Sequence, residues 1–185
     1  MIYKYIFLSH LTAKAVITSS RSACKVVSTD TLQMTFNLLH KTDITSIKTT
    51  IADLLLLQRQ AHGVESSVEY ILKGIENALD NAVFTKIFYI EIDGIICGVI
   101  FGNIGSSISK AGNYIWINEL FVSENYRRKG VAAFMLNELI SWCRNHHIKG
   151  IDLETTIDNE PAIGLYRKFD FIFDQYAFRC TLLLP

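Results

Sequence analysis

Residues 126–140 read YRRKGVAAFMLNELI: three cations, a glycine and small residues, running without a break into an apolar helix. Adjacent cations usually make only a solvated surface. A glycine that opens a helix admits a second reading, because the first four amides of a helix have no backbone partner. They lie at the positive end of the helix dipole, where an anion can take them up. Arg127, Gly130 and Ala132 have the spacing R-x-x-G-x-A, which would gather the amides of Arg128, Lys129, Gly130, Val131, Ala132 and Ala133 around one point. Gly130 would let a ligand approach the backbone, and Ala132 would keep the next turn thin. That geometry suits a pyrophosphate. No G-x-x-x-x-G-K-[ST] and no G-x-G-x-x-G occurs, so a P-loop nucleotidase is excluded at motif level.

Working outward, NYIWINELFV (113–122) precedes this stretch as a largely unbroken apolar strand, and so a central one. A Gly/Ser-rich loop is expected before it, from Gly105 to Gly112. Earlier still, KIFYIEIDGIICGVIFG (86–102) is two β-rich runs joined by Asp93-Gly94, a strong hairpin signal. Two helices come first. One follows Asp43, with Ile44, Ile47, Ile51, Leu54 and Leu55 on one face to about Gln60. The other lies in SSVEYILKGIENALDN (66–81), where Ser66 and Glu69 have capping-box spacing. Downstream, the opening stretch carries a helix to about His146. Its apolar side holds Val131, Met135, Leu139 and Trp142, with Leu136, Ile140 and Cys143 beside them. GIDLETT (150–156) is a short strand, and Pro161 starts a short helix through Lys168. FIFDQYAFRCTLLL (171–184) closes the chain as one or two strands. The order reads as a single α/β (α+β) domain, a mixed central sheet flanked by helices, over 43–185. Residues 1–42 have short apolar runs rich in Ser and Thr and are expected to pack on that domain.

Composition narrows the function. The 185 residues, half of them hydrophobic, suffice for one domain with a sizeable core. Eighteen basic residues balance eighteen acidic ones, which speaks against nucleic-acid binding through bulk charge. Cys24, Cys97, Cys143 and Cys180 stand far apart without zinc spacing, so no metal is expected and free thiols in a reducing compartment are the plain reading. His146-His147 suits a helix C-terminus. Residues 1–24 have small residues before a cysteine, but His10 and Lys14 interrupt the apolar stretch a signal peptide needs. Nothing approaches the roughly 20 apolar residues of a membrane helix. No membrane partner and a cytoplasmic location are expected.

A second motif follows the first by about thirty residues: DNEPAIGLYRKFDF (158–171). With it, the sequence resembles the GNAT superfamily of N-acetyltransferases. Arg127, Gly130 and Ala132 match that family's R/Q-x-x-G-x-G/A loop. Asn159, Ala162, Leu165, Tyr166 and Phe171 match its N-x-x-A-x-x-L-Y-x-x-x-G-F motif. The match is strongest over residues 113–173 and extends plausibly from 43 to the end.

The resemblance implies acetyl-CoA as co-substrate, a primary-amine acceptor (a small molecule or a peptide amine) and a homodimer, with no metal. It implies that Leu120, Phe121 and Val122 line the thioester and pantetheine by strand-like backbone bonds, and that Arg128 through Ala133 bind pyrophosphate. Asn159 would touch the pantetheine arm, and Tyr166 would protonate the departing thiolate. Plainer readings stand beside these. Leu120 and Phe121 are core residues in any case, Asn159 could simply help enter the short helix, and Tyr166 could be a half-buried aromatic.

Glu119 is the candidate base. Polyamine-acetylating relatives carry a glutamate one step earlier, where this chain has Asn118. A one-residue shift reverses the face of a regular strand, but the family's strand usually carries a bulge nearby, so which of the two positions faces the amine stays open. Glu154 is the reserve, and a surface or salt-bridging role for Glu119 stays open. The other departure is Asp170, where the family usually has glycine. A left-handed helix terminus there would suit Asp better than most residues; at negative φ it would be a surface carboxylate. A non-catalytic acyl-CoA-binding module of the same fold is the alternative to an enzyme.

Overall fold

The computed structural model describes residues 33–173. Of the closing strands expected over 171–184, residues 171–173 are described and form no strand; the remainder, with Cys24, Cys180 and most of the 1–42 segment, lies outside the described residues. The Asp93-Gly94 signal makes the hairpin it announces. Both residues are left-handed (φ 51° and 78°), as a two-residue turn matched to strand twist requires. They join β2 (Thr85–Ile92) to β3 (Ile95–Ser107). The end of the N-terminal segment supplies β1 (Met34–Leu38), which pairs antiparallel with β2.

The Gly/Ser loop is shorter than its composition suggests. β3 runs on to Ser107 and β4 (Gly112–Val122) starts at once after the turn. Gly105 serves cross-strand packing rather than a turn: it faces Tyr114, and a Cβ there would come within 2.8 Å of that ring. β4 then pairs in parallel with β5 (Gly150–Leu153), which ends before Glu154, earlier than expected. The sheet is therefore mixed, in the order β1-β2-β3-β4-β5.

Alternation of side chains sends two sets of residues to opposite faces. Ile87, Tyr89 and Val99 pack under α1 (Thr45–Ala61) and α2 (Val68–Asp80). Phe88, Ile90, Ile100, Ile115 and Ile117 pack under α3 (Val131–Asn145) and α4 (Glu160–Lys168). The α3 stripe reads as expected, with Val131, Met135, Leu136, Leu139 and Cys143 buried.

Three helix starts differ by a residue from expectation: α1 begins at Thr45 rather than Ile44, α2 is capped one residue late, and α4 begins at Glu160, one residue before Pro161. Asp43 does not cap α1; its carboxylate accepts the His40 amide at 2.8 Å, closing the turn before the helix. On α2 the cap is Ser67, whose hydroxyl accepts the Tyr70 amide at 3.2 Å, while the Ser66 hydroxyl is buried without a partner. The hydroxyl cap is therefore supplied by the neighbouring serine, and the expected capping box does not form, since the residue three after Ser67 is Tyr70 rather than a glutamate.

Candidate active site

The decisive local feature is a bulge in β4. Phe101 of β3 faces Glu119, but its neighbour Gly102 faces Ile117, so Asn118 is the extra residue. Strict alternation from Ile115 and Ile117 would have put Glu119 under α3. The bulge reverses the parity: Leu120 and Val122 join the α3/α4 cluster, and Phe121 the α1/α2 cluster. Glu119 thereby turns to the α1/α2 face, where its carboxylate accepts a 2.6 Å hydrogen bond from Gln58 Nε2.

Glu119 lines a cavity of ≈ 160 Å³ between the two N-terminal helices and the sheet. Its walls are apolar (Leu55, Ile71, Ile75, Ile87 and Phe101 among them), with Tyr70 at α2 and one cation, Arg59, from the last turn of α1. The Nε of Arg59 and the Oε1 of Gln58 are buried without hydrogen-bond partners. Gln58 and Arg59 escaped the sequence reading. Helical spacing could have found them: Ile51, Leu55 and Arg59 follow at intervals of four, as do Leu54 and Gln58, so the stripe that buries the leucines carries these two inward.

The bulge also marks where β4 loses a neighbour. Ile117 is its last residue paired with β5, opposite Leu153, while β4 continues to Val122. Ser123 N–H bonds Cys97 C=O at 2.8 Å. Antiparallel ladders alternate bonded and non-bonded pairs, so Glu119, Phe121 and Ser123 direct their backbone at β3. Leu120 and Val122 direct theirs at the open edge. Arg127 confirms the direction, its Nε donating to the Val122 carbonyl at 3.0 Å. The side chains of Phe121 and Val122 are buried; what this segment offers at the edge is backbone.

Past the edge, the chain makes a short 3-10 turn (Glu124–Tyr126) and enters α3 through left-handed Arg128 (φ 59°) and Gly130 (φ 83°). A Cβ at Gly130 would meet nothing within 4 Å. Glycine is required there by its backbone conformation, not by close quarters. The first bond of α3 runs from Phe134 N–H to Gly130 C=O, which leaves the amides of Val131, Ala132 and Ala133 ahead of the ladder. Arg128 and Lys129 are exposed beside them, while Arg127 is committed to the Val122 carbonyl and lies 5.5 Å from the Phe121 ring.

Asn159 caps α4, its Oδ1 accepting the Ala162 amide at 3.3 Å, with Pro161 in the first turn. Tyr166 is 6% exposed and sits in the cluster that holds Leu120, Val122 and Val131. Burial raises its phenol pKa, so it keeps its proton through the neutral range. Tyr166 and Glu119 therefore lie on opposite faces of the sheet, with the open edge of β4 between them. Glu154 is exposed just beyond β5. Among the described residues no cluster of His, Cys, Asp and Glu could hold a metal ion, and no helix is long and apolar enough to cross a membrane.

The family model for the acetyltransferase (GNAT) family matches residues 51–171. Streptothricin acetyltransferase A of Bacillus subtilis is 36% identical over 64 residues, which are 35% of this chain and 37% of that protein. The chain thus aligns with little more than a third of this curated relative. Among solved structures, a possible acetyltransferase from Clostridium difficile superposes with a TM-score of 0.69 at 20% identity, covering 82% of this chain and 98% of the other. An aminoglycoside N-acetyltransferase in complex with CoA gives 0.67 at 16% identity, covering 82% and 95%.

Proposed function

The chain belongs to the GNAT acetyltransferase family, and from that membership we propose that it transfers an acetyl group from acetyl-CoA to the primary amine of a small molecule or a peptide. The observation that carries this reading is the Asn118 bulge, which lies where β4 loses its β5 neighbour and turns Glu119 into a largely apolar cavity.

The chain's groups suit acetyl-CoA. The outward amides of Leu120 and Val122 can bind an extended pantetheine arm as a missing strand would. The Val131–Ala133 amides, with Arg128 and Lys129, suit the pyrophosphate. Asn159, spent largely on capping α4, has at most its amide nitrogen left for the arm. When bound, acetyl-CoA supplies an acetyl thioester, whose C–S bond breaks as the amine's C–N bond forms. One proton leaves the amine and one joins the sulfur.

This chain's part is to hold and move those protons and to fix positions. An outward amide of β4, fixed before reaction, stabilises negative charge on the acyl oxygen. Glu119, anchored by Gln58, takes the proton of the amine. Neutralising a lysine-like amine at pH 7 costs about 4.6 kcal/mol, against about 1.4 for an α-amine, so this help matters most for the first. Tyr166 supplies the proton to sulfur. A phenol near pKa ~10 is a weaker acid than a thiol near ~8.5, and burial widens that gap, so Tyr166 must regain its proton promptly from solvent or the amine side.

A panel of primary amines with detection of released thiol tests the reading directly. Acetyl-CoA should also raise the melting temperature, by about 2.7 kcal/mol of stability at ~100 times its Kd, and acetyl-pantetheine much less. Binding of acetyl-CoA without thiol release on any amine would favour a non-catalytic module. Equal shifts from both thioesters would remove the pyrophosphate assignment.

A further inference from the structure

We propose that the acceptor is a small apolar amino carboxylate, its carboxylate taken by Arg59 while its amine meets Glu119. The inference rests on the acetyl-transfer reading for its chemistry, but the binding site it describes stands apart from turnover. The cavity has two charged residues in its lining, Arg59 from α1 and Glu119 from β4, and its walls are otherwise mostly aliphatic and aromatic. Such a site sorts ligands by charge placement: an ammonium toward the carboxylate, an anion toward the guanidinium, and an apolar body between.

Arg59 carries the argument. A guanidinium cannot lose its charge in a protein, and a buried N–H without an acceptor is costly. Its Nε is nevertheless buried and unpartnered, on a side chain that lines the cavity. The position at the last turn of α1 favours a cation through the helix dipole, but a dipole asks only for a charge near the terminus and would be served equally by an exposed head. What the dipole does not explain is the inward course along the Ile51–Leu55 stripe. A planar donor held at an apolar wall suits a carboxylate, which would complete the missing bond and balance the charge.

Gln58 fits the same arrangement. Its Nε2 is committed to Glu119, and its Oε1 is left buried without a donor. The ammonium of an acceptor lying against Glu119 can supply that donor to the Gln58 amide bonded to the same carboxylate, so both unpaired atoms have a counterpart on one zwitterionic ligand.

Leucine and 3-methylbutylamine share a side chain and differ by the carboxylate, which makes them a suitable pair. Their amines differ in basicity, so the informative quantity is the ratio of their kcat/KM values in the wild type against the same ratio in Arg59→Gln. The substitution should reduce the preference for leucine over 3-methylbutylamine about 10- to 100-fold, as expected for losing charge-assisted hydrogen bonds. Thermal shifts with each amine in the presence of CoA read binding alone. Selective stabilisation by leucine that disappears in Arg59→Gln, without thiol release, would uphold this site while sinking the transfer reading. Turnover of both amines with a ratio unmoved by Arg59→Gln, or no stabilisation by leucine in the wild type, would overturn it.

Discussion

Gln58 Nε2 donates to Glu119 Oε2 at 2.6 Å, joining the last turns of α1 to the bulge of β4 across 61 residues of sequence. A carboxylate that must accept a proton from one direction gains from being held in one rotamer, and this bond supplies the hold. Gln58→Leu should lower turnover about tenfold while leaving the acetyl-CoA thermal shift intact. In a Glu119→Gln background the same change should cost little, because groups acting as a unit are not additive. An equal loss in both backgrounds would assign Gln58 to packing.

Tyr166 is buried by the sheet's own cluster, so loss of the ring would confound loss of the hydroxyl. Tyr166→Phe separates the two. If the phenol is the proton donor, turnover should fall ~100-fold or more with coenzyme binding nearly unchanged. Unchanged turnover would leave Tyr166 as a core aromatic.

Asp170 stands where a glycine is usual in the family, and it is left-handed, with φ 58°. Its N–H bonds Arg167 C=O at 3.2 Å, and Phe171 N–H bonds Tyr166 C=O at 3.1 Å. That pair of bonds is the usual left-handed termination of a helix, and it seats the Phe171 ring 5.4 Å from the Tyr166 ring. Asp170→Gly should be neutral or stabilising by up to about 1 kcal/mol. Asp170→Val should destabilise, because a β-branched residue resists positive φ. Urea or thermal unfolding reads both, and a clear loss in the glycine variant would contradict the strain argument.

Much of this was legible in the residues. The Asp-Gly hairpin, the α3 stripe and the glycine at the α3 entrance each follow from a local rule whose cause is local. The face of Glu119 was not legible, because parity depends on one extra residue, and a bulge at Asn118 leaves no mark in an apolar run. The cavity was equally hidden. Arg59 and Gln58 look like the polar end of an amphipathic helix until the sheet that meets them is in place. Gly105 misled for the opposite reason: a glycine that makes room for a tyrosine across a ladder looks the same as one that makes a turn.

Burial pushes the thiols of Cys97 and Cys143 from 9.0 to about 11. Well below pH 9 both are protonated whether the chain is folded or not, and stability does not vary with pH through them. Between pH 9 and 11 the unfolded chain ionises these thiols and the folded chain does not, so stability falls as pH rises, by at most about 1.4 kcal/mol per pH unit for each. Melting temperatures from pH 8 to 11 should fall less steeply in the Cys97→Ala and Cys143→Ala variants, whatever those variants lose at neutral pH. Identical slopes would mean that the thiols ionise alike in both states.

The central claim is that the Asn118 bulge delivers Glu119 to the amine. The rate-pH profile of Glu119→Gln on a primary alkylamine tests it most directly, with Glu154→Gln measured alongside. The wild type should show a rising acidic limb that Glu119→Gln displaces or abolishes. The loss should be large for the alkylamine and small for an α-amine, in line with the roughly 4.6 and 1.4 kcal/mol of deprotonation each requires at neutral pH. Full activity of Glu119→Gln on the alkylamine, with the loss appearing in Glu154→Gln instead, would contradict the account.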